Sequence, residues 1–345
     1  MIWKSYWAVL SKTIVIGMAF VLMMIAVIDP YDNLPFSPDF KRTAMASNQR
    51  FSYPAIARND QFDSAVFGTS TTRLLNPESL NQYIGGNFAN LSMNSATSYE
   101  QFRLFEVFIK THPAPKNIII GLDIVWCNAG KDADKYTFRA FPEWMYDNNP
   151  WNDIPHMLNF KTLETLGKQA GYLIGIKDAK YLPTGYANFL PPIEKYDLNK
   201  ARLNIYGSET PKEKTPTSEP AQYNPNDFNY PSHDYLENML DKIPAETKKI
   251  LMFVPYHRYI QATPGSLSAA QWKECKNRII AMSATRKNSF LIDFMIPSLI
   301  TNKDENYWDP LHYTEELSED IIKSVVKGVK NEPAPHNTYQ ILDPY

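Results

Sequence analysis

The chain has 345 residues, with 35 Lys and Arg against 37 Asp and Glu and a net charge of −2. That length supports one large domain or two small ones, and a balanced charge without long single-sign runs argues against nucleic acid as a partner. Aromatic residues make up 13%, and 21 tyrosines against 13 glycines fit either sugar-lining polar-aromatic surfaces or a Tyr-rich core and rim.

The first predicted element is "TIVIGMAFVLMMIAVI" (13–28), an uncharged run that spans roughly 24 Å as a helix. Val9 and Leu10 extend it, Trp3, Tyr6 and Trp7 suit a headgroup interface, and Lys12 can snorkel, so it predicts a single membrane span. Lys4 and Lys12 precede the run and Asp29 and Asp32 follow it, which places the N-terminus in the cytoplasm and the remainder outside. Bulky Val and Ile in "AVIDPYD" give no small-x-small cleavage site, so residues 1–29 read as an uncleaved anchor rather than a removed signal peptide.

Residues 30–60, rich in Pro, Asp, Asn and Ser, read as a stem. "SAVFGTS" (64–70) predicts a buried strand running into a turn, and "NPESLNQYI" (76–84) a helix with Asn76 as cap and Pro77 in its first position. "NFANLSM" (87–93) is a second strand, and "SYEQFRLFEVFIKTH" (98–112) an amphipathic helix. The apolar runs 117–126, 248–257 and 289–294 predict strands buried inside a parallel sheet. Residues 268–284 and 314–330 predict helices, so the order is that of a βαβ-type sheet with right-handed crossovers. Residues 127–235, with a predicted loop at 207–225, are too long for a bare loop and read as an inserted cap or lid. The α/β domain then covers 61–335, followed by a tail at 336–345.

Reacting groups in open α/β sheets collect at the C-terminal strand edges. Ser70, the "SMNSAT" turn, Asp123 and His257 all fall there, and Asp309 and His312 share the loop before the last helix. A serine hydroxyl becomes a nucleophile when an imidazole takes its proton, and that imidazole needs a carboxylate to fix its tautomer. Three-residue spacing lets one segment carry both Asp309 and His312. Thr72 stands where a G-x-S-x-G elbow has its second glycine, so that motif is not matched. Arg73 could meet an acidic sugar or pair with a surface carboxylate. Cys127 and Cys275 have no CxxC spacing and form either one disulfide or two buried thiols. His112, His156, His233 and His336 form no i,i+4 pair, so neither a metal site nor a cofactor is expected.

In "FGTST" around Ser70, "NLSMNSAT" (90–97) and "DPLHYT" (309–314) the chain resembles the SGNH (GDSL-type) hydrolase superfamily. The resemblance implies a flavodoxin-like three-layer α/β/α sandwich. It makes Ser70 the nucleophile, His312 the base and Asp309 its orienter, with the Ser70 and Ser95 backbone N–H groups as oxyanion donors. Asp123, His257 and Arg73 are candidate substrate contacts. Ser95 stands where the family has a glycine, and Leu122 where it has an oxyanion-binding asparagine. Loss of such a donor costs roughly 2.7–4 kcal/mol of transition-state stabilisation.

With its anchor, the chain is similar to the alginate O-acetyltransferase-like and D-alanyl-transfer proteins of bacterial envelopes. That similarity implies a single-pass protein of the bacterial inner membrane with its domain in the periplasm. It would move or remove O-acyl groups, acetyl by expectation, on an envelope polysaccharide, supplied by a multi-span membrane acyltransferase. The alternative is a catalytically silent, membrane-tethered glycan-binding or assembly protein of the same fold.

Overall fold

The computed structural model describes residues 2–147, 149–215 and 222–342. Two compact units make up the chain: residues up to Ile56 with Phe141–Pro183, and Ala57–Ala140 with the residues from Thr184 onward. The segment read above as one insertion, 127–235, is thus shared between them, and residues 141–183 group with the anchor and stem.

The first unit contains α1 (Ile2–Ile28) and α2 (Gln49–Ala57). From Trp3 to Ile28, α1 has a mean hydropathy of 2.3 and is long and apolar enough to cross a membrane. Its surface is bare from Trp3 to Phe20 apart from a partly covered Leu10, and the last turns, with Ile25 and Ile28, are covered.

The second unit is built on a mixed α/β plan. In chain order its first elements are β1 (Ser64–Phe67), α3 (Pro77–Tyr83), β2 (Phe88–Asn90), α4 (Ser98–Thr111), β3 (Asn117–Leu122) and α5 (Ile124–Cys127). The first unit then adds α6 (Asp153–His156) and α7 (Phe160–Leu173). The second unit resumes with α8 (Leu198–Tyr206), α9 (Ser232–Lys242), β4 (Lys248–Phe253), α10 (Leu267–Ala284), β5 (Ser289–Asp293), α11 (Glu315–Val329) and β6 (Gln340–Ile341). Of the predicted loop 207–225, residues 216–221 lie outside the described residues.

The strands form one sheet in the order β2-β1-β3-β4-β5-β6, parallel except for β6, which runs antiparallel to β5. The segment read as a tail therefore closes the sheet edge, with Ile341 opposite Ile292. Every residue of β1, β2 and β3 is buried, as continuous apolar runs in a doubly covered parallel sheet require. Strand order reverses between β1 and β3, which makes their C-terminal ends the switch point where such sheets open a crevice.

Helix starts follow side-chain chemistry. Asn76 accepts the Glu78 N–H at 3.0 Å with Pro77 in the first position, and Thr97 with Glu100 forms a reciprocal capping box. The predicted strands at 64–70, 117–126 and 248–257 each end earlier than their apolar runs. At β1 the strand gives way at Gly68, where the backbone lies against the Thr72 side chain. A Cβ on Gly68 or on Gly121 would meet the Thr72 hydroxyl at 2.3 or 2.2 Å, so both glycines make room for that one side chain. At β3, the Asp123 carboxylate accepts the Val125 N–H at 3.1 Å and converts the run "IVWC" into α5. Cys127 of α5 and Cys275 of α10 form a disulfide with 5.4 Å between Cα atoms, which settles the open alternative.

Candidate active site

Ser70 follows β1 by three residues and is half-buried at the switch point. Its Oγ lies 2.8 Å from His312 Nε2, although 242 positions separate the two residues. On the other side of the ring, His312 Nδ1 lies 2.7 Å from Asp309 Oδ2. The second carboxylate oxygen, Oδ1, accepts the backbone N–H groups of Leu311 (2.8 Å) and His312 (3.0 Å). A carboxylate accepting at Nδ1 fixes the proton there, so Nε2 presents its lone pair to the Ser70 hydroxyl. Burial works to raise the Asp309 carboxyl, but the bonds from the His312 ring and from the Leu311 and His312 amides hold it below its ordinary value.

Several distant elements fix the loop. The His257 N–H donates to Pro310 O at 2.9 Å, the Trp308 N–H to His312 O at 2.9 Å, and Thr71 Oγ1 to Leu311 O at 3.2 Å. Tyr307 and Tyr313 pair as an antiparallel bridge at the loop's base, and the Tyr307 hydroxyl donates to Pro255 O at 2.7 Å. The wedge of aromatics around Asp309 is thus the clamp that orients the imidazole. Beneath it, Asp304 accepts from Arg202 Nε (2.7 Å), Tyr206 OH (2.6 Å) and His257 Nε2 (3.2 Å).

His257, a candidate substrate contact, is buried and committed to that network. Its Nδ1 accepts the Tyr259 N–H at 3.2 Å, so Nε2 carries the proton given to Asp304. Burial lowers its pKa against the opposing pull of Asp304. Its side chain lines a hollow with Tyr206, Lys214 and Tyr259, whose walls include none of Ser70, Asp309 or His312.

Asp123, another candidate contact, is buried beneath the Ser70 turn. It accepts a short hydrogen bond from Thr69 Oγ1, the residue before Ser70, and a further one from the Tyr256 hydroxyl. Burial pushes its carboxyl up to about 6, with these hydrogen bonds opposing the rise. Tyr256 also bonds the Thr71 hydroxyl, so one buried network supports both sides of Ser70. Arg73 is 4% exposed and donates from Nη1 to Asn94 Oδ1 at 2.6 Å, while its Nε has no partner. No carboxylate pairs with it among the described residues. Its guanidinium stacks 4.6 Å from the Phe189 ring, whose centre is 5.4 Å from that of His312.

Ser95 lies on the loop after β2, drawn against the Ser70 turn by the Met93 N–H, which donates to Gly68 O at 3.0 Å. Its φ of +53° is a left-handed conformation that ordinarily favours glycine. Leu122 is fully buried in the sheet and offers no donor. Thr69, Thr71, Tyr256, Phe189 and Asp304 were not singled out in the sequence. Of these, Thr69 and Thr71 lie inside the "FGTST" block, Tyr256 stands next to His257 and Asp304 five residues before Asp309, whereas no block lies near Phe189.

The structure therefore brings Ser70, His312 and Asp309 into one hydrogen-bonded chain, sets Arg73 beside it through Phe189, and buries Asp123 and His257 in supporting networks. No family model matches the chain, and no curated protein matches it significantly.

Proposed function

We propose that the protein is a serine acyltransferase or esterase acting on O-acyl groups, acetyl by preference, of an envelope polysaccharide. The observation that carries this reading is the Ser70–His312–Asp309 relay, with both ring nitrogens of His312 engaged at 2.8 and 2.7 Å. In the first step, Ser70 Oγ attacks the acyl carbonyl while His312 Nε2 takes its proton. The tetrahedral intermediate collapses as His312 returns that proton to the departing alkoxide, which leaves acyl-Ser70. A second hydroxyl, from a sugar for transfer or from water for hydrolysis, then gives its proton to His312 and attacks the acyl group, and Ser70 Oγ leaves as it takes that proton back from His312. The backbone N–H groups of Ser70 and Ser95 are the oxyanion donors in this reading. Arg73, buried with no carboxylate partner among the described residues, is the group that would meet an acidic sugar.

Strand order 2-1-3-4-5 with the Ser70 turn after β1 supports the flavodoxin-like, SGNH-type sandwich implied by the short blocks. The charge step across α1, Lys4 and Lys12 before it and Asp29 and Asp32 after, together with the disulfide, supports a single-pass anchor in the bacterial inner membrane and a domain in the oxidising periplasm. A multi-span membrane acyltransferase is the expected acyl source.

The buried Leu122 favours the rival reading, a silent glycan-binding protein of the same fold. A fluorophosphonate or sulfonyl fluoride probe separates the two. Labelling that maps to Ser70 and disappears in His312→Ala supports the enzyme, and a probe that never labels Ser70 in the intact protein supports the binder.

A further inference from the structure

Helix α7 is built inside out. Thr162, Thr165 and Gln169 are buried on one face, whereas Phe160 and Ile174 are 91% and 70% exposed and Leu163 is also open. At 3.6 residues per turn the buried polar residues share an arc of about 60°, and Phe160, Leu163 and Ile174 share an arc of about 60° on the far side. Each buried polar group is satisfied, so the inversion is not a packing defect. Thr162 Oγ1 meets the Tyr31 hydroxyl at 3.2 Å, Thr165 Oγ1 donates to Lys161 O at 2.9 Å, and the Gln169 amide pairs with both backbone groups of Thr43 at 2.9 and 3.2 Å. Asn159 caps the helix by accepting the Thr162 N–H at 2.9 Å.

The place of α7 supplies the reason. It packs against α1, whose covered residues gather in its last turns, and Tyr31, two residues past Asp29, reaches it directly. Helix α7 therefore sits beside the end of α1 from which the chain leaves the span, with its apolar stripe turned outward. Lys161 and Lys168 stand about 130° and about 110° round the helix from the middle of that stripe, and Lys168 pairs with Glu164. Ile176, just past the helix, is 76% exposed and prolongs the apolar side.

We propose that α7 lies in the interfacial layer of the same bilayer that α1 crosses, with Phe160, Leu163 and Ile174 set into the headgroup–acyl boundary and Lys161 and Lys168 toward water. Its occupant is lipid, and the inference holds whether or not Ser70 acts as a nucleophile.

The test uses the full-length protein in phosphatidylethanolamine–phosphatidylglycerol vesicles, with bimane on single cysteines added by Leu163→Cys, Ile174→Cys or Lys161→Cys and the native disulfide intact. Unchanged thermal unfolding of each labelled protein verifies the fold. Shallow spin-labelled lipid should quench the probes at 163 and 174 at least threefold more than the one at 161, and aqueous iodide should show the reverse order. Iodide quenching that is equal at all three sites overturns the proposal, as does lipid quenching that is equal at all three. If a second copy of the chain covers the stripe instead, the probes at 163 and 174 will be shielded from both quenchers until the protein is diluted among excess vesicles, which also overturns it.

Discussion

On the base side of Ser70, His312 is held through both ring nitrogens, and its loop is tied to the end of β4, to the Ser70 turn and, through the Tyr307–Tyr313 bridge, to itself. On the opposite side, where negative charge would collect on a reacting carbonyl, the chain offers a buried Leu122 and a left-handed Ser95. Rigidity there comes from beneath, through the Asp123 network and the bond from Cys127 to Cys275. A base can be oriented by ordinary hydrogen bonds between side chains and loop backbone. An oxyanion site needs backbone amides in conformations that side chains resist, so the two flanks tolerate sequence change to different degrees.

The largest expected effect is on the base side. Ser70→Ala and His312→Ala should each lower turnover of an activated ester by about 10³-fold or more, and the double variant should be no slower than either single one, as groups acting in a unit behave. Asp309→Asn should cost a similar order, because it would release the His312 tautomer. Steady-state rates with protein verified as folded check this. Loss of less than tenfold in His312→Ala would mean the clamp orients a ring that does no chemistry.

The other flank is probed first through stability. Replacing Cys127 and Cys275 together by serine should cost about 2–5 kcal/mol in urea unfolding, since the bond closes a loop spanning 148 positions. Asp123 gives a pH signature of about 3 kcal/mol. Its folded-state pKa is raised, by burial first, from the ordinary carboxylate value to about 6, so the folded protein binds the extra proton between the two values. The stabilisation is present in full below about pH 4 and is lost as pH rises through about 6. Asp123→Asn should therefore gain on the parent by that amount between pH 4 and pH 7 in paired unfolding curves. A difference that stays constant with pH would show the carboxylate to be ionised throughout.

What the sequence disclosed follows the range of each interaction. Strands β1, β3, β4 and β5 were legible because residues buried on both faces leave uninterrupted apolar runs, and the cap at Asn76 was legible because it acts within two residues. The strand ends were read too long, because the run stays apolar past the point where Gly68 makes room for the Thr72 side chain and where the Asp123 carboxylate caps the Val125 N–H. Strand β6 has two residues, too few for any pattern. Ser70, Asp309 and His312 could be picked out because they lie in short blocks. The contacts of Asp123 and His257 could not, because a strand-end position looks the same whether its side chain faces the crevice or the core. In α7 the helical period is visible but its direction is not, since periodicity alone does not say which face turns inward.

The smallest effect is the sharpest probe of the weaker flank. Ser95 holds φ at +53°, where a Cβ crowds the following carbonyl at a cost of about 1–2 kcal/mol, and glycine removes that crowding while adding freedom to the unfolded chain. Ser95→Gly should therefore stabilise the protein by about 0.5–1 kcal/mol in urea unfolding. It should also speed probe labelling of Ser70 by about twofold to fivefold, because the bare backbone lets the N–H approach the oxyanion more closely. Slower labelling with raised stability would give the donor role to the serine hydroxyl rather than the amide. The chain would then have replaced the missing Leu122-position donor with a side chain on the neighbouring loop, and the two flanks would both rest on side-chain chemistry.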